Sequence, residues 1–369
     1  MSQLFYKISL PFLLIPVSVP SSPEEGDHEN EIAASLITEG SWNMDDGKVN
    51  WENRMDLSGR MSLWAGGEAE MSVIATQNTR IGEGKSWTVL DDPQSFSNIQ
   101  TDEQIPLSLA LLGITQQVTS RFSVFLGVRN MNGDYFNTPL TSLFLNSSYG
   151  IYPTVADNWN ISNYPESSLC FHQEWNPSDH ITFRNSLYNG MSSYHWDKEF
   201  RFRPSKDGWI NVFEVGYETP GGIKDFSKEY HLGVVCGHTP QTKVDENGDE
   251  YTTGKHFDWS VYGLVEQPLL SGLHPLGLLL QGGYAPKRKN ETYLYFAAGV
   301  VCAHLLKRDD AAGLTWNRSL YSGGVEENCM ELTYSLPVMP HLTVQPTLQS
   351  FRITGEYHTV ALLRASLDF

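Results

Sequence analysis

The chain has 369 residues, too many for one small domain and compatible with one large barrel or two domains. Its 25 basic residues against 43 acidic ones leave a formal charge of −18, which argues against nucleic acid and anionic membrane surfaces as partners and disfavours anionic solutes. With 17 Tyr, 17 Phe, 10 Trp and 31 Gly, the composition points to an all-β protein.

Residues 1–23 read as an export signal: Lys7 supplies the positive charge and residues 8–19 an apolar core, too short for a membrane helix. Residues 24–369 are then the mature domain. Residues 24–31 are acidic and polar, a flexible start. Strand-like runs follow at 31–39, 49–57, 68–77, 107–118, 121–130, 169–175, 181–188 and 209–218. They continue at 229–237, 257–266, 276–284, 293–305, 329–336, 342–351 and 357–369, with one more hidden in 314–322. The run 107–118 has some helical character, but Gly113 and its β-branched end favour strand. The most apolar stretch, 269–280, is broken by Gly272, His274, Pro275 and Gly277 and does not span a bilayer as a helix.

The alternation is clearest in three runs. In 121–129, Phe122, Val124, Leu126 and Val128 share one face, and Arg121 and Arg129 lie on the other. In 180–188, Ile181, Phe183 and Leu187 oppose His180, Thr182, Arg184, Ser186 and Tyr188. In 357–369, Leu363, Leu367 and the terminal Phe369 oppose His358, Arg364 and Asp368. A period of two with an apolar and a polar face fits strands between lipid and water. Phe122, Val124, Leu126, Phe183, Leu187, Leu363 and Leu367 are expected to face lipid.

Connections alternate in length. Short ones fall at 119–120, 176–179, 337–340 and 354–356, long ones at 78–105, 131–168, 190–208, 239–255 and 307–316. The expected fold is therefore a transmembrane antiparallel up-and-down β-barrel of about sixteen strands, with long loops on one side. Residues 131–168 are too long for a passive connection. Their Phe136, Leu143, Phe144, Tyr149, Tyr152 and Trp159 either pack inside the barrel wall, narrowing the pore, or form an outer lid.

Other chemistry is sparse. Cys170, Cys236, Cys302 and Cys329 are far apart, with no Cys-x-x-Cys pair to suggest zinc. They are either disulfide partners or four small semi-buried residues. Residues 245–250 alternate oxygens as a calcium loop does, but the glycine is misplaced and no Glu closes it, so a solvated hairpin tip fits better. Neither a cofactor nor an isolated pair of catalytic carboxylates is indicated.

Several blocks carry a resemblance. They are Gly127-Val128-Arg129, Asn132-Gly133-Asp134-Tyr135-Phe136, Phe144-Leu145-Asn146-Ser147-Ser148-Tyr149-Gly150, and the turn Trp175-x-Pro177-Ser178. Tyr284-Ala285-Pro286 before the Gly299 strand and the polar stretch from Lys307 to Gly313 belong with them. So does 331–349, where Tyr334 precedes a turn at Pro337 and the chain returns as Leu342-Thr343-x-Gln345-Pro346-x-x-Gln349. In order, from about residue 32 to 369, these blocks resemble the carbohydrate-selective porin (OprB) family. His341 departs from an aromatic such as Trp. The resemblance implies passive, selective diffusion of small carbohydrates across a bacterial outer membrane, by a channel and not an enzyme. It also implies outer-membrane lipid around the barrel and assembly machinery that reads the strand ending in Phe369.

Such a pore needs hydrogen-bonding groups at a constriction and aromatic faces for the sugar ring. The substrate path is accordingly assigned to Arg129 and Arg184 first. Arg121, His172, Glu174, Gln345, Gln349 and Arg364 join them from polar strand faces, and Phe144, Asn146 and Tyr149 from the loop. Two other classes fit the same sequence: a general diffusion pore, and an exported soluble β-rich protein that binds or cleaves carbohydrate.

Overall fold

The computed structural model describes residues 30–79, 89–90, 96–101, 104–219, 226–240, 242–244, 250–252, 254–288, 290–306 and 309–369. The export signal read at 1–23 and the turn at 245–249 lie outside them. In chain order the strands are β1 (Glu31–Asn43), β2 (Val49–Trp64), β3 (Gly67–Asn78), β4 (Ser108–Thr119), β5 (Phe122–Arg129) and β6 (Ser168–Ser178). Next come β7 (Ile181–Asn189), β8 (Trp209–Thr219), β9 (Lys228–Thr239), the short pair β10 (Thr242–Val244) and β11 (Glu250–Thr252), β12 (His256–Leu270) and β13 (Leu276–Tyr284). The chain ends with β14 (Thr292–Ala303), β15 (Ala311–Tyr321), β16 (Glu326–Met339), β17 (Leu342–Ile353) and β18 (Glu356–Asp368). All but β10 and β11 close into one antiparallel barrel of sixteen strands. The strand hidden in 314–322 is β15. Among the described residues no helix is long and apolar enough to cross a membrane; the crossing is made by strands.

Alternation sets the facing. On β2, Asn50, Glu52, Arg54 and Asp56 point inward and are buried, while Trp51, Met55 and Leu57 are exposed outside. Leu126 (61 % exposed) and Leu363 (57 %) stand on the outer face, and Arg364 (1 %) on the inner. This inversion, apolar outside and polar inside, is what a bilayer around a wet lumen selects. The barrel closes with Glu39 of β1 opposite Arg364 of β18, an ion pair of 2.7 Å.

Two connections sit at the opposite end from the sequence expectation. The turn at Thr354 and Gly355 belongs to the long-loop end, while residues 304–310 join β14 to β15 at the short-turn end. Connection length alone does not reveal the end; only strand parity does. Arg121, expected on the inner strand face, lies in the short turn before β5, where its guanidinium donates to the Pro177 carbonyl and meets Asp179. At the same end His341 lies flat against Phe369, ring centroids 5.7 Å apart at 9°, and so serves as the missing aromatic. All four cysteines are free, Cys170 and Cys329 buried.

Val128 shares the outward face of β5, yet it is fully buried with Val73 and Leu109. The cause is the connection from β7 to β8. Its residues 193–200, with the one-turn helix α2 (Trp196–Glu199), lie across the outside of the wall against β4 and β6. The Leu109 amide donates to the buried Glu199 carboxyl at 3.3 Å. Burial pushes that carboxyl up to about 7, against the Leu109 and Ser167 donors that favour its charged form.

Candidate translocation site

The loop 130–167 folds into the lumen. At its entry the Asn130 side chain accepts from the Asn132 amide and caps a first 3-10 turn. Arg129, the last residue of β5, forms a charge-assisted contact with Asp134 as the chain bends inward and stacks 4.7 Å over Phe125. Beyond the bend, Tyr135, Phe136, Leu140, Leu143, Phe144, Tyr149 and Tyr152 are buried against inward residues of the far wall. Those wall residues are unusual for a wet lumen: Ile210 and Val212 on β8, Val235 on β9, Tyr262 and Leu264 on β12, Leu279 on β13, Tyr295 and Val301 on β14. Glycines on that wall receive the loop. A Cβ on Gly313 would lie 2.6 Å from Phe144, and one on Gly283 only 2.3 Å from Thr154.

Polar wall residues hold the loop's backbone. Glu331 accepts from the Leu145 and Asn146 amides at 2.7 and 2.9 Å. Glu266 accepts from the Leu140 and Thr141 amides at 3.0 and 3.1 Å and from the Thr138 hydroxyl. Gln345 donates to the Leu143 carbonyl at 2.7 Å. A buried amide left unpaired costs about 1–3 kcal/mol, so each carboxylate decides whether two residues of loop stay in place.

A second segment, 96–101, also reaches into the barrel, which the sequence reading did not anticipate. Gln349 donates to the Phe96 carbonyl at 2.8 Å, Arg364 donates to the Asn98 side chain at 2.8 Å, and the Asn98 amide donates to Leu145 at 2.7 Å. Phe96, Val89 and Leu90 pack on Leu145, Val360 and Leu362.

A cavity of ≈ 200 Å³ lies between the two inward segments and β2–β5; another, of ≈ 400 Å³, lies at the long-loop end beside Asn43, Val89 and His358. The wall side of the first is Arg54, Ile74, Ala110, Leu111 and Arg129; its loop side includes Asn98, Gln100, Asn132, Asn137, Asp157, Asn163 and Tyr164. Arg54 is held by Asp56 at 2.7 Å and lies 4.5 Å over the Tyr164 ring. Among the described residues the Gln100 and Asn163 carboxamides take no hydrogen bond. The polar face Asn50, Glu52, Arg54 and Asp56 was the signal that points to this wall.

Of the residues singled out from sequence, Arg129 borders this cavity and the others do not. Arg184 and Arg129 are not brought together. Arg129 pairs with Ser168 and Arg184 with Glu174, positions about 20 Å apart along β6 at ~3.3 Å per residue. Arg184 meets Glu174, Glu214 and Glu218 at 3.2, 3.1 and 3.1 Å. It faces a cavity of only ≈ 10 Å³ beneath the loop, room for about one water. His172 contacts Ser186 at 2.7 Å beside the ring of Tyr135. Gln345, Gln349, Arg364, Phe144, Asn146 and Tyr149 are all buried and anchor the inward segments. Glu218, Glu229 and His231 bring ligand-type atoms within 4.8 Å of one another, but Glu218 also receives Arg184.

A closed barrel of sixteen antiparallel strands with a loop folded into its lumen defines the class of outer-membrane porins. Residues 44–359 match the carbohydrate-selective porin, OprB family, and the chain belongs to that family. It is an outer-membrane carbohydrate porin; fold and family are those of a channel. The high-pH structure of Pseudomonas putida OprB is similar over 92% of this chain and 94% of that one, with 17% identity and a TM-score of 0.75. OmpT of Vibrio cholerae lacking its loop L8 aligns over 92% and 99%, with 10% identity and a TM-score of 0.59. An anion-selective porin from Comamonas acidovorans aligns over 92% and 100%, with 12% identity and a TM-score of 0.55. Among curated proteins, no sequence match was found.

Proposed function

We propose that sugars cross through the cavity bordered by β2–β5, and that Arg54, Arg129, Gln100, Asn137 and Asn163 are the groups they meet. The observation that carries this is the chemistry of the lining. Six of its lining residues are carboxamides (Asn98, Gln100, Asn130, Asn132, Asn137 and Asn163), and both of its arginines are tied to carboxylates, Arg54 to Asp56 and Arg129 to Asp134. Such a surface offers many donors and acceptors with little net charge, which suits a neutral polyhydroxyl solute and gives an ion no strong site. Each exchange of water for a protein donor is worth about 1 kcal/mol net, enough to raise occupancy several-fold without trapping the sugar.

Single-channel current titrated with mono- and disaccharides tests this. Arg54→Ala and Arg129→Ala should each weaken sugar block by roughly tenfold at most and shift ion selectivity towards cations. A native channel whose current no sugar reduces would replace this reading with a general pore. Unchanged block in both variants would move the site elsewhere.

The same reading extends to biogenesis. The exposed Phe369, ending the closing strand, is offered to the assembly machinery before the barrel shuts, and residues 1–23 direct export. Deleting Phe369 should lower the amount in the outer membrane and raise it in the periplasm; equal fractionation would contradict this.

A further inference from the structure

The strap between β7 and β8 does more than cover Val128. Ser193 bridges Ser167 antiparallel, the Trp196 indole donates to the Leu107 carbonyl at 3.1 Å, and the Ser167 hydroxyl donates to Leu109 at 2.6 Å. The bonds to Leu107 and Leu109 lie beside the start of β4, beyond the point where β5 ends at Arg129 to enter the lumen. The strap is thus fixed against β4 and β6 at the long-loop end of the barrel.

Its free side interleaves aromatic and basic residues. Trp196, Phe200 and Phe202 are exposed, as is Leu107, whose carbonyl takes the Trp196 indole. Lys198, Arg201, Arg203 and Lys206 interleave with them. Arg201 is paired with Asp197 at 2.7 Å and Arg203 with Asp207 at 3.0 Å. Lys198 and Lys206 are exposed and form no ion pair among the described residues. A fifth cation, Lys255, arrives from the next loop and donates to the Pro204 and Ser205 carbonyls. In a chain of charge −18, this ridge reverses the sign.

We propose that the strap is a docking surface for a phosphorylated lipid of the outer leaflet, with Trp196, Phe200 and Phe202 at the acyl boundary and Lys198 and Lys206 on the phosphate. Aromatic and basic residues interleaved at one depth match the two-layer chemistry of such a lipid.

The test uses the full barrel extracted from outer membranes in mild detergent, with bound phosphorylated lipid counted by native mass spectrometry. The double variant Lys198→Glu/Lys206→Glu should retain roughly tenfold less lipid. Phe200→Ser/Phe202→Ser should also retain less, and Lys198→Arg/Lys206→Arg as much as the native protein. Conductance and sugar block should be unchanged in all three, reporting an intact barrel. Equal retention in the charge-reversed variant overturns the proposal. So does displacement of the lipid by inorganic phosphate alone, which would make the site a simple anion site. Loss of self-association with lipid retained would make the ridge an interface between copies, and overturns it as well.

Discussion

Two sectors of one barrel wall put the same alternation to opposite uses. On β2–β5 the inner face carries Asn50, Glu52, Arg54, Asp56 and Ser72 beside Ile74 and Leu111, and Arg54, Ile74, Leu111 and Arg129 border the open cavity. On β8–β14 the inner face carries Ile210, Val212, Tyr262, Leu264, Leu279 and Val301, and the loop 130–167 is packed onto it. Burying each large apolar side chain is worth about 1.5–3 kcal/mol, so the loop goes to the apolar sector and solvent is left with the polar one. Pointing into a barrel and meeting its solute are therefore separate properties.

The largest break in this contrast comes from removing the loop's anchors. Glu266→Ala with Glu331→Ala leaves the Leu140, Thr141, Leu145 and Asn146 amides unpaired, at about 1–3 kcal/mol each. Bilayer recordings should show a conductance raised more than about twofold as the cross-section opens, with sugar block lost. Native conductance in the double variant would mean that side-chain packing alone seats the loop.

A smaller effect concerns the outside of the wall. The Glu199 carboxyl is raised from its ordinary 4.5 to about 7, so the folded strap binds the extra proton. Its contribution is present in full below 4.5 and is lost as pH rises through about 7. Hydrogen exchange or protease nicking in residues 190–208 should increase between mildly acidic and mildly basic pH, and Glu199→Gln should flatten that dependence. Glu166 adds to the shift by its charge. A strap equally protected across the range would show that Glu199 stays uncharged throughout.

Much of the fold was legible because a period of two is local information. The faces of β5, β7 and β18 follow from Phe122–Arg129, Ile181–Asn189 and Glu356–Asp368 alone. The loop's aromatics, Phe136, Phe144, Tyr149 and Tyr152, showed that it must pack somewhere. Cover was not legible, because it depends on which distant segment arrives. Gln345 and Gln349 face inward as read, yet Leu143 and Phe96 lie over them. Val128 faces outward as read, yet the strap lies over it. Nor does sequence give register along the barrel axis, so Arg129 and Arg184 were both assigned to the constriction while standing at different depths. The polar face of β2 was visible in the sequence but had no motif attached to it.

The central claim is that solute passes along the polar sector and not the apolar one. It is tested most directly by thiol accessibility in a chain whose four native cysteines have been replaced. Ala110→Cys borders the cavity, and Val212→Cys lies under the loop. A small hydrophilic thiol reagent should react with Cys at position 110, reduce the single-channel current, and be slowed by added sugar, while position 212 stays unreactive. Rapid, sugar-protected reaction at 212 with none at 110 would contradict the account.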